Sequence, residues 1–70
     1  PPRLPLTASS PFLGKTLRDA GIREQYHCLV AGVEKADGQL HTPDVTSPFE
    51  EGDVLWVVGE KKDVERVMGN

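Results

Sequence analysis

The stretch Val54-Leu55-Trp56-Val57-Val58 is the strongest β-strand signal in the chain and decides the predicted fold. Side chains alternate between the two faces of a strand, so Val54, Trp56 and Val58 share one face. Leu55 and Val57 lie on the other face. Both faces are apolar, and a strand of this kind has to be covered on both sides. The stretch therefore predicts a sheet that packs against helices on one face and against a loop or a second copy of the chain on the other.

Two interpretations remain open for what covers the second face of this sheet. Two short helices cover only one face of so small a sheet, and the other face, or the sheet edge, then meets a second copy of the chain. Alternatively, the loop from Thr42 to Phe49 folds over it.

We expect residues 1–70 to form a single domain that is a fragment of a larger protein. A core of this size rarely supplies more than about 3–5 kcal/mol without a staple or a partner, so we expect the missing stabilisation to come from self-association or from a neighbouring domain.

The sequence predicts two short helices. The first covers residues 16–20, with Thr16 as its N-cap and Gly21 at its C-terminal end. The second covers residues 61–68 and has an apolar stripe with the 3–4 spacing of a helix. The stripe consists of Val64, Val67 and Met68. The two helices account for the covered face of the sheet.

The remaining apolar segments predict further strands. An edge strand lies within residues 1–10, where Pro5 lacks a hydrogen-bond donor, and a second strand covers residues 27–35. The two faces of this second strand are His27, Leu29, Ala31 and Val33, and Cys28, Val30, Gly32 and Glu34. Asp37-Gly38 is typical of a tight turn that returns the chain through residues 39–41. The segment around Val45 is a candidate for one more short strand.

These elements predict a fold class. Their order is β-α-β-β-β-α, which corresponds to a small α+β domain with a mostly antiparallel sheet, two short helices and a tendency to dimerise.

Composition argues against several classes of function. The net charge is −3 and the eight Lys and Arg residues are spread along the chain, whereas a nucleic-acid binder needs a clustered basic face. No apolar run approaches the roughly 20 residues that cross a bilayer. Cys28 is the only cysteine, so there is neither a disulfide nor the paired spacing of a zinc site. A single thiol fits a reducing, cytoplasmic setting.

No residue pattern supports catalysis. His27 and Cys28 are neighbours on a strand, so their side chains point to opposite faces and do not easily share a proton. Cys28 is expected to be a small buried hydrophobic residue. Gly14-Lys15-Thr16 resembles the end of a phosphate-binding loop, but Ser9 stands where that loop needs a glycine. We expect Asp53 to hydrogen-bond to amides of its turn, and we expect no enzyme, no cofactor and no metal site.

Four segments in succession resemble the TrkA-C family, also called the RCK C-terminal domain. Residues 10–17, SPFLGKTL, resemble the family's opening S-P-hydrophobic-hydrophobic-G-K-S/T-L. The apolar strand over residues 29–33 follows. Thr42-Pro43 stands where the family has a polar residue and proline. Residues 49–59, FEEGDVLWVVG, resemble the closing L-x-x-G-D-x-L-x-V-x-G.

The resemblance implies a β/α domain that pairs with a second copy of itself. Such domains lie on the cytoplasmic side of the inner membrane, as parts of bacterial potassium channels, potassium uptake systems or cation/proton antiporters. The implied partner is the membrane-embedded transporter portion of the parent protein. No nucleic-acid partner is expected, because of the charge pattern described above. Some members bind a small regulatory ligand, including cyclic di-AMP, in a cleft at the dimer interface. A purely structural dimerisation domain without a ligand stays open as an alternative.

The resemblance also suggests candidate residues for such a cleft. They are Ile22, Arg23, Leu40, His41 and Pro43. For His41, a place in the cleft and a plain surface position both stay open. Family members often carry Arg after the apolar strand, where this chain has Glu34 and Lys35.

Overall fold

The sheet has four strands, and every neighbouring pair is antiparallel. The computed structural model describes residues 1–70. The strands are β1 (Arg3–Pro5), β2 (Leu29–Glu34), β3 (Leu40–His41) and β4 (Val54–Val58). They lie in the order β1-β4-β2-β3. The predicted α+β class, the antiparallel sheet and the edge position of the first strand are confirmed.

Three helices are present, one more than predicted. They are α1 (Leu17–Ala20), α2 (Ile22–Tyr26) and α3 (Lys61–Met68). Thr16 caps α1 as predicted, because its hydroxyl accepts a hydrogen bond from the Asp19 N–H at 3.2 Å. Gly21, with φ of 68°, ends α1, but the chain enters α2 at once. His27, with φ of 57°, ends α2, so it lies before the strand in which it was predicted.

The centre of the core is formed by β4. Leu55 and Val57 have no exposed surface, whereas Val54 and Trp56 are half-buried and Val58 is exposed, so the predicted alternation is confirmed. The helices cover the Leu55 face. Twelve buried apolar residues form one cluster there, consisting of Leu4, Leu6, Phe12, Ala20, Ile22, Cys28, Val33, Phe49, Leu55, Val57, Val64 and Val67.

Helix α3 spans the predicted residues, but its buried face is rotated from the predicted stripe. Asp63 is buried with Val64 and Val67, and Met68 is 37% exposed. The Arg66 guanidinium hydrogen-bonds to the Asp63 carboxylate at 3.3 Å and to a backbone carbonyl of α2 at 2.9 Å. These bonds give the buried Asp63 carboxylate a partner and link α3 to α2.

A β-bulge divides β2. Val30 and the residue two positions later pair with consecutive residues of β4, so Ala31 is the extra residue. Before the bulge, Cys28 and Val30 face the helices, and after it Val33 does. The sequence prediction placed Val33 on the same face as Leu29. That assignment is wrong, because the bulge reverses the alternation.

The hairpin between β2 and β3 forms as predicted. Gly38 has φ of 79°, and the Gln39 N–H donates to the Asp37 carboxylate at 2.8 Å. His41 lies opposite Val33, as symmetric pairing about the turn requires. Strand β3 has only two residues, so it covers only the end of β2.

The segment around Val45 is a loop and not a strand. The Asp44 carboxylate accepts hydrogen bonds from the Thr46 N–H at 2.9 Å, from its hydroxyl at 2.7 Å and from the Ser47 hydroxyl at 2.8 Å. These bonds hold the pKa of Asp44 below its usual value, with the Thr46 N–H contributing most. The loop therefore folds on itself and forms no ladder with a strand.

The face of the sheet opposite the helices, here called the outer face, is uncovered in the single chain. The Trp56 indole donates to the Glu34 carboxylate at 2.6 Å, and the Arg3 guanidinium lies 5.0 Å from the ring centroid. Leu40, on the same face, is 50% exposed. The loop after β3 does not cover this face, because Leu29, Leu40 and Val58 remain 57%, 50% and 46% exposed, and Phe49 of the loop is buried in the core on the helix side. The second interpretation of the sequence is therefore wrong.

Candidate functional site

The larger cavity of the molecule is a mainly apolar groove of about 430 Å³ beside the first half of β2. Eleven residues line it, and eight of them are hydrophobic. They are Leu17, Arg18, Ile22, Arg23, Glu24, Cys28, Leu29, Val30, Ala31, Val45 and Val58. This set is called the groove below. Concave apolar surfaces with a few polar groups are typical of ligand sites.

The groove runs along an open strand edge. Strand β3 pairs only with Val33 and Glu34, so no strand of this chain lies beside residues 29–31 on that side. The lining includes Val30, which faces the helices, and Leu29, which faces outward. A cavity that touches both faces of one strand must lie along its edge. Backbone N–H and C=O groups of this edge are therefore open to a ligand or a second chain.

Two arginines at this groove have no partner within the chain. Arg18 on α1 and Arg23 on α2 are both exposed, and neither side chain makes a hydrogen bond or a salt bridge. The modest pairing expected between Asp19 and Arg23 does not form. Glu24 is the only acid in the lining and is equally free. Apolar walls with two free guanidinium groups suit a ligand that combines anionic and flat apolar parts.

The structure separates the five residues that the sequence suggested for a ligand cleft. Ile22 and Arg23 line the groove, although Ile22 is only 1% exposed. His41 lines a different cavity, and Leu40 lies on the outer face. Pro43 is half-buried and lines neither cavity. Within one chain, the five therefore do not meet in one place.

The second cavity is a polar cleft of about 310 Å³ between the end of β2, β3 and the loop that follows. The Lys35 ammonium at this cleft lies 2.9 Å from one oxygen of Asp53 and 3.0 Å from the other. The hydrogen bond to Asp53, above all, raises the pKa of Lys35. Asp53 also accepts from the Glu50 N–H at 2.9 Å, which confirms its predicted role in the turn. Since these charges satisfy each other, the cleft attracts an anion less than the groove does.

His41 forms an exposed pair with Asp37. Its Nε2 lies 3.2 Å from the Asp37 carboxylate, on the hairpin at the rim of the polar cleft. The pKa of Asp37 is lowered, chiefly by the Gln39 N–H and further by His41. This histidine is therefore both a surface residue and a part of a cleft, but not of the groove.

The single thiol belongs to the lining of the groove and is buried. Cys28 is 1% exposed, as predicted for a small buried hydrophobic residue. Burial raises the pKa of its thiol, Asp63 raises it further, and Arg66 opposes the change.

Two further structural findings concern metal ions and membranes. The 70 residues contain no group of three or more His, Cys, Asp or Glu side chains placed to share a metal ion. None of the three helices has the length and apolar character that a membrane span requires.

Comparison with known proteins shows the family to which the chain belongs. Residues 3–69 match the TrkA-C domain family. The chain belongs to the TrkA-C domain family. The resemblance found in the sequence is therefore confirmed. No curated protein matches the chain.

Three solved structures resemble this TrkA-C domain closely. The RCK_C domain dimer of S. agalactiae BusR in complex with c-di-AMP has a TM-score of 0.84 at 23% identity, with 99% of this chain and 85% of that chain covered. The RCK C domain of the potassium transport protein KtrA, in complex with cyclic diadenosine monophosphate, has a TM-score of 0.80 at 25% identity, covering 97% and 80%. S. agalactiae BusR in complex with its busAB-promotor DNA has a TM-score of 0.84 at 23% identity; 99% of this chain is covered, but only 34% of that longer chain.

Sequence reasoning missed most of the groove of this TrkA-C domain. The residues not proposed as site residues include Leu17, Arg18, Glu24, Leu29, Val45 and Val58. One signal was available, because residues 22–26 are mostly good helix formers directly after Gly21. A second helix at that point brings Arg18 and Arg23 onto consecutive helices.

Proposed function

We propose that this TrkA-C domain is a regulatory module that dimerises along the groove and binds a cyclic dinucleotide, cyclic di-AMP, within it. The observation that carries the proposal is the pair of free arginines, Arg18 and Arg23, beside an apolar groove. Phosphodiester groups need cations, and purine bases need apolar surface. The similarity to the BusR and KtrA domains, whose structures hold this ligand, supports the choice.

Exposed apolar side chains continue from the groove and support a dimer. Leu29 and Val58 are cross-strand partners that are 57% and 46% exposed, and Val45 is 58% exposed. Contiguous apolar surface of this kind on a small domain marks an interaction site. A second copy covers this surface and supplies stabilisation that a 70-residue core lacks. The dimeric state of the related BusR domain supports this arrangement.

The parent protein is proposed to be a bacterial potassium or other cation transport protein, with this domain on the cytoplasmic side of the inner membrane. The ligand then biases the membrane-embedded portion by preferring one arrangement of the two copies. The similarity to KtrA supports this parent. In this proposal the domain itself is not an enzyme. The similarity to BusR supports a second candidate, a sensor domain of a DNA-binding regulator. In either parent, we expect these 70 residues to bind no nucleic acid, since their net charge is −3.

The proposal is tested by calorimetric titration of the domain with cyclic di-AMP, alongside its mass in solution. We expect a dimer, saturable binding, and a higher melting temperature with ligand, because a ligand of the folded state alone stabilises it. At a hundred times Kd, the stabilisation is about 2.7 kcal/mol. Arg23→Gln is expected to weaken binding about tenfold or more, whereas Lys62→Gln, which removes an exposed charge outside the groove, leaves it unchanged.

The outcomes separate the competing functions. A dimer that binds no cyclic di-AMP favours the assembly domain without a ligand, for which the exposed Leu29 and Val58 are the supporting observation. A well-folded monomer that stays monomeric with ligand contradicts the proposed dimer.

A further inference from the structure

The charges beside the groove bear on association as well as on ligand binding. The lining holds Arg18, Arg23 and one acid, Glu24, so each copy contributes a net single positive charge there. The chain as a whole carries −3. The groove is therefore a local positive site on a negative molecule, and it coincides with the surface proposed to meet a second copy.

Two such grooves facing each other repel when they are empty. Like charges brought together at an apolar interface are screened less than in bulk water, and they weaken association. Neither Arg18 nor Arg23 has an internal carboxylate partner that could offset the repulsion. A cyclic dinucleotide has two phosphodiester groups, and its two negative charges equal the net positive charge of two grooves.

The backbone explains how both arginines reach one cavity. Helices α1 and α2 meet at Gly21, whose left-handed conformation turns the chain sharply. Arg18 stands before this turn and Arg23 after it, and both line the groove. Since neither guanidinium is engaged, a phosphate contact breaks no existing bond.

We propose that Arg18 acts with Arg23 as a second phosphate-binding cation. We further propose that the net positive charge of Arg18, Arg23 and Glu24 makes dimerisation dependent on the ligand. The inference rests on the proposed function. Arg18 then acts in opposite directions on two observables: it weakens the empty dimer and strengthens ligand binding. Glu24 acts with the opposite sign on each. One ligand binds for every two chains.

The test compares Arg18→Gln and Glu24→Gln with the wild type, and uses Lys62→Gln as a control for the loss of one exposed positive charge. The dimer dissociation constant is measured by analytical ultracentrifugation without ligand, and cyclic di-AMP affinity by calorimetry. Arg18→Gln is expected to tighten the empty dimer about threefold and to weaken ligand binding about tenfold. Glu24→Gln is expected to weaken the empty dimer and tighten ligand binding. Lys62→Gln changes neither.

Salt provides a second, independent reading. Raising NaCl from about 50 mM to about 500 mM screens the repulsion, so the empty wild-type dimer is expected to become tighter and ligand binding weaker. Arg18→Gln is expected to reduce both changes. Melting curves of the empty variants check folding. Arg18→Gln and Lys62→Gln should have the same melting temperature, because neither wild-type side chain makes a hydrogen bond or a salt bridge within the chain.

Several results would overturn the inference. If Arg18→Gln behaves like Lys62→Gln while the wild type binds cyclic di-AMP, the role of Arg18 is refuted, and the proposed function then stands on Arg23 alone. An empty Arg18→Gln dimer that is weaker than the wild type refutes the repulsion. If the wild type dimerises but binds no cyclic di-AMP, the proposed function and the phosphate contact of Arg18 fail together.

Discussion

Removal of the buried Asp53 carboxylate provides a direct test of how the fold is held together. The side chain is 3% exposed and receives both contacts of the Lys35 ammonium as well as the Glu50 N–H. Asp53→Ala leaves these donors without their acceptor. Breaking a fully buried ion pair costs about 3–5 kcal/mol. Because the Lys35 side chain is 33% exposed and its ammonium can turn to water, we expect a loss of about 2–3 kcal/mol.

That loss is large for so small a domain. The free energy of unfolding of the wild-type domain is about 3–5 kcal/mol, so the variant keeps only a small part of it. We expect its melting temperature to fall by roughly 10–20 °C. Urea unfolding followed by circular dichroism measures the change, with an unaltered m-value showing that the native surface is retained. Asp19→Ala is the matched control, because Asp19 is exposed and its carboxylate has no partner.

The pH dependence gives the same prediction an independent check. The pKa of Lys35 is raised in the folded state above its ordinary value of 10.5, chiefly by the hydrogen bond to Asp53. The pair therefore stabilises the fold fully below pH 10.5, and this contribution is lost as pH rises through the raised value. The difference between wild type and Asp53→Ala should shrink there. A difference from Asp19→Ala of less than about 0.5 kcal/mol at neutral pH would refute the reasoning.

Three other perturbations address the close contacts, the core and the loop. Gly59→Ala places a methyl carbon 2.8 Å from the Cys28 sulfur, and we expect a loss of about 1–3 kcal/mol in urea unfolding that a second change, Cys28→Ala, partly restores. Leu55→Ala removes a side chain with no exposed surface, at a cost of about 2–5 kcal/mol, so its circular dichroism spectrum should show substantial unfolding; a native melting temperature would contradict its central position. The pKa of Asp44 in the folded state lies below 3.8, so the stabilisation of the fold by this carboxylate is present above that pH and is lost as pH falls through the folded pKa. NMR titration should show a midpoint below 3.8 that rises in Thr46→Ala.

Local patterns were enough to predict part of the fold. The alternation in β4, the Asp37-Gly38 turn and the bounds of α3 each depend on residues within a few positions of one another. The apolar period and the turn chemistry agree there, and the structure follows them.

The bulge at Ala31 and helix α2 were not predictable in the same way. The segment Leu29–Glu34 is compatible with regular alternation, and what distinguishes it is a contact from another strand. A Cβ atom on Gly32 would lie 2.7 Å from the end of the Leu40 side chain, so β3 approaches the bulged strand closely at this glycine. Helix α2 has five residues, which is shorter than the window in which a helical period can be recognised.

The groove was the hardest part to predict, because its residues come from distant parts of the chain. Helices α1 and α2, the open half of β2, the loop around Val45 and the end of β4 meet only through the sheet order. Of the five cleft residues that the sequence suggested, Ile22 and Arg23 line the groove. The sequence grouped them with Leu40 and His41, which do not line the groove, since both belong to β3 at the far end of β2 and His41 lies beside the polar cleft.

The position of the one tryptophan makes the molecule its own optical reporter. Trp56 is the only tryptophan, and its indole is half-buried on the outer face, bonded to Glu34 and stacked beneath Arg3. Its fluorescence therefore reports the polarity of that face. A ligand or a second chain that stays at the strand edge leaves these two contacts in place, whereas a chain that extends over the outer face beyond Leu29 and Val58 removes water from the ring and shifts the emission to the blue. The native protein, without any attached dye, can thus show whether a bound chain reaches the middle of the outer face.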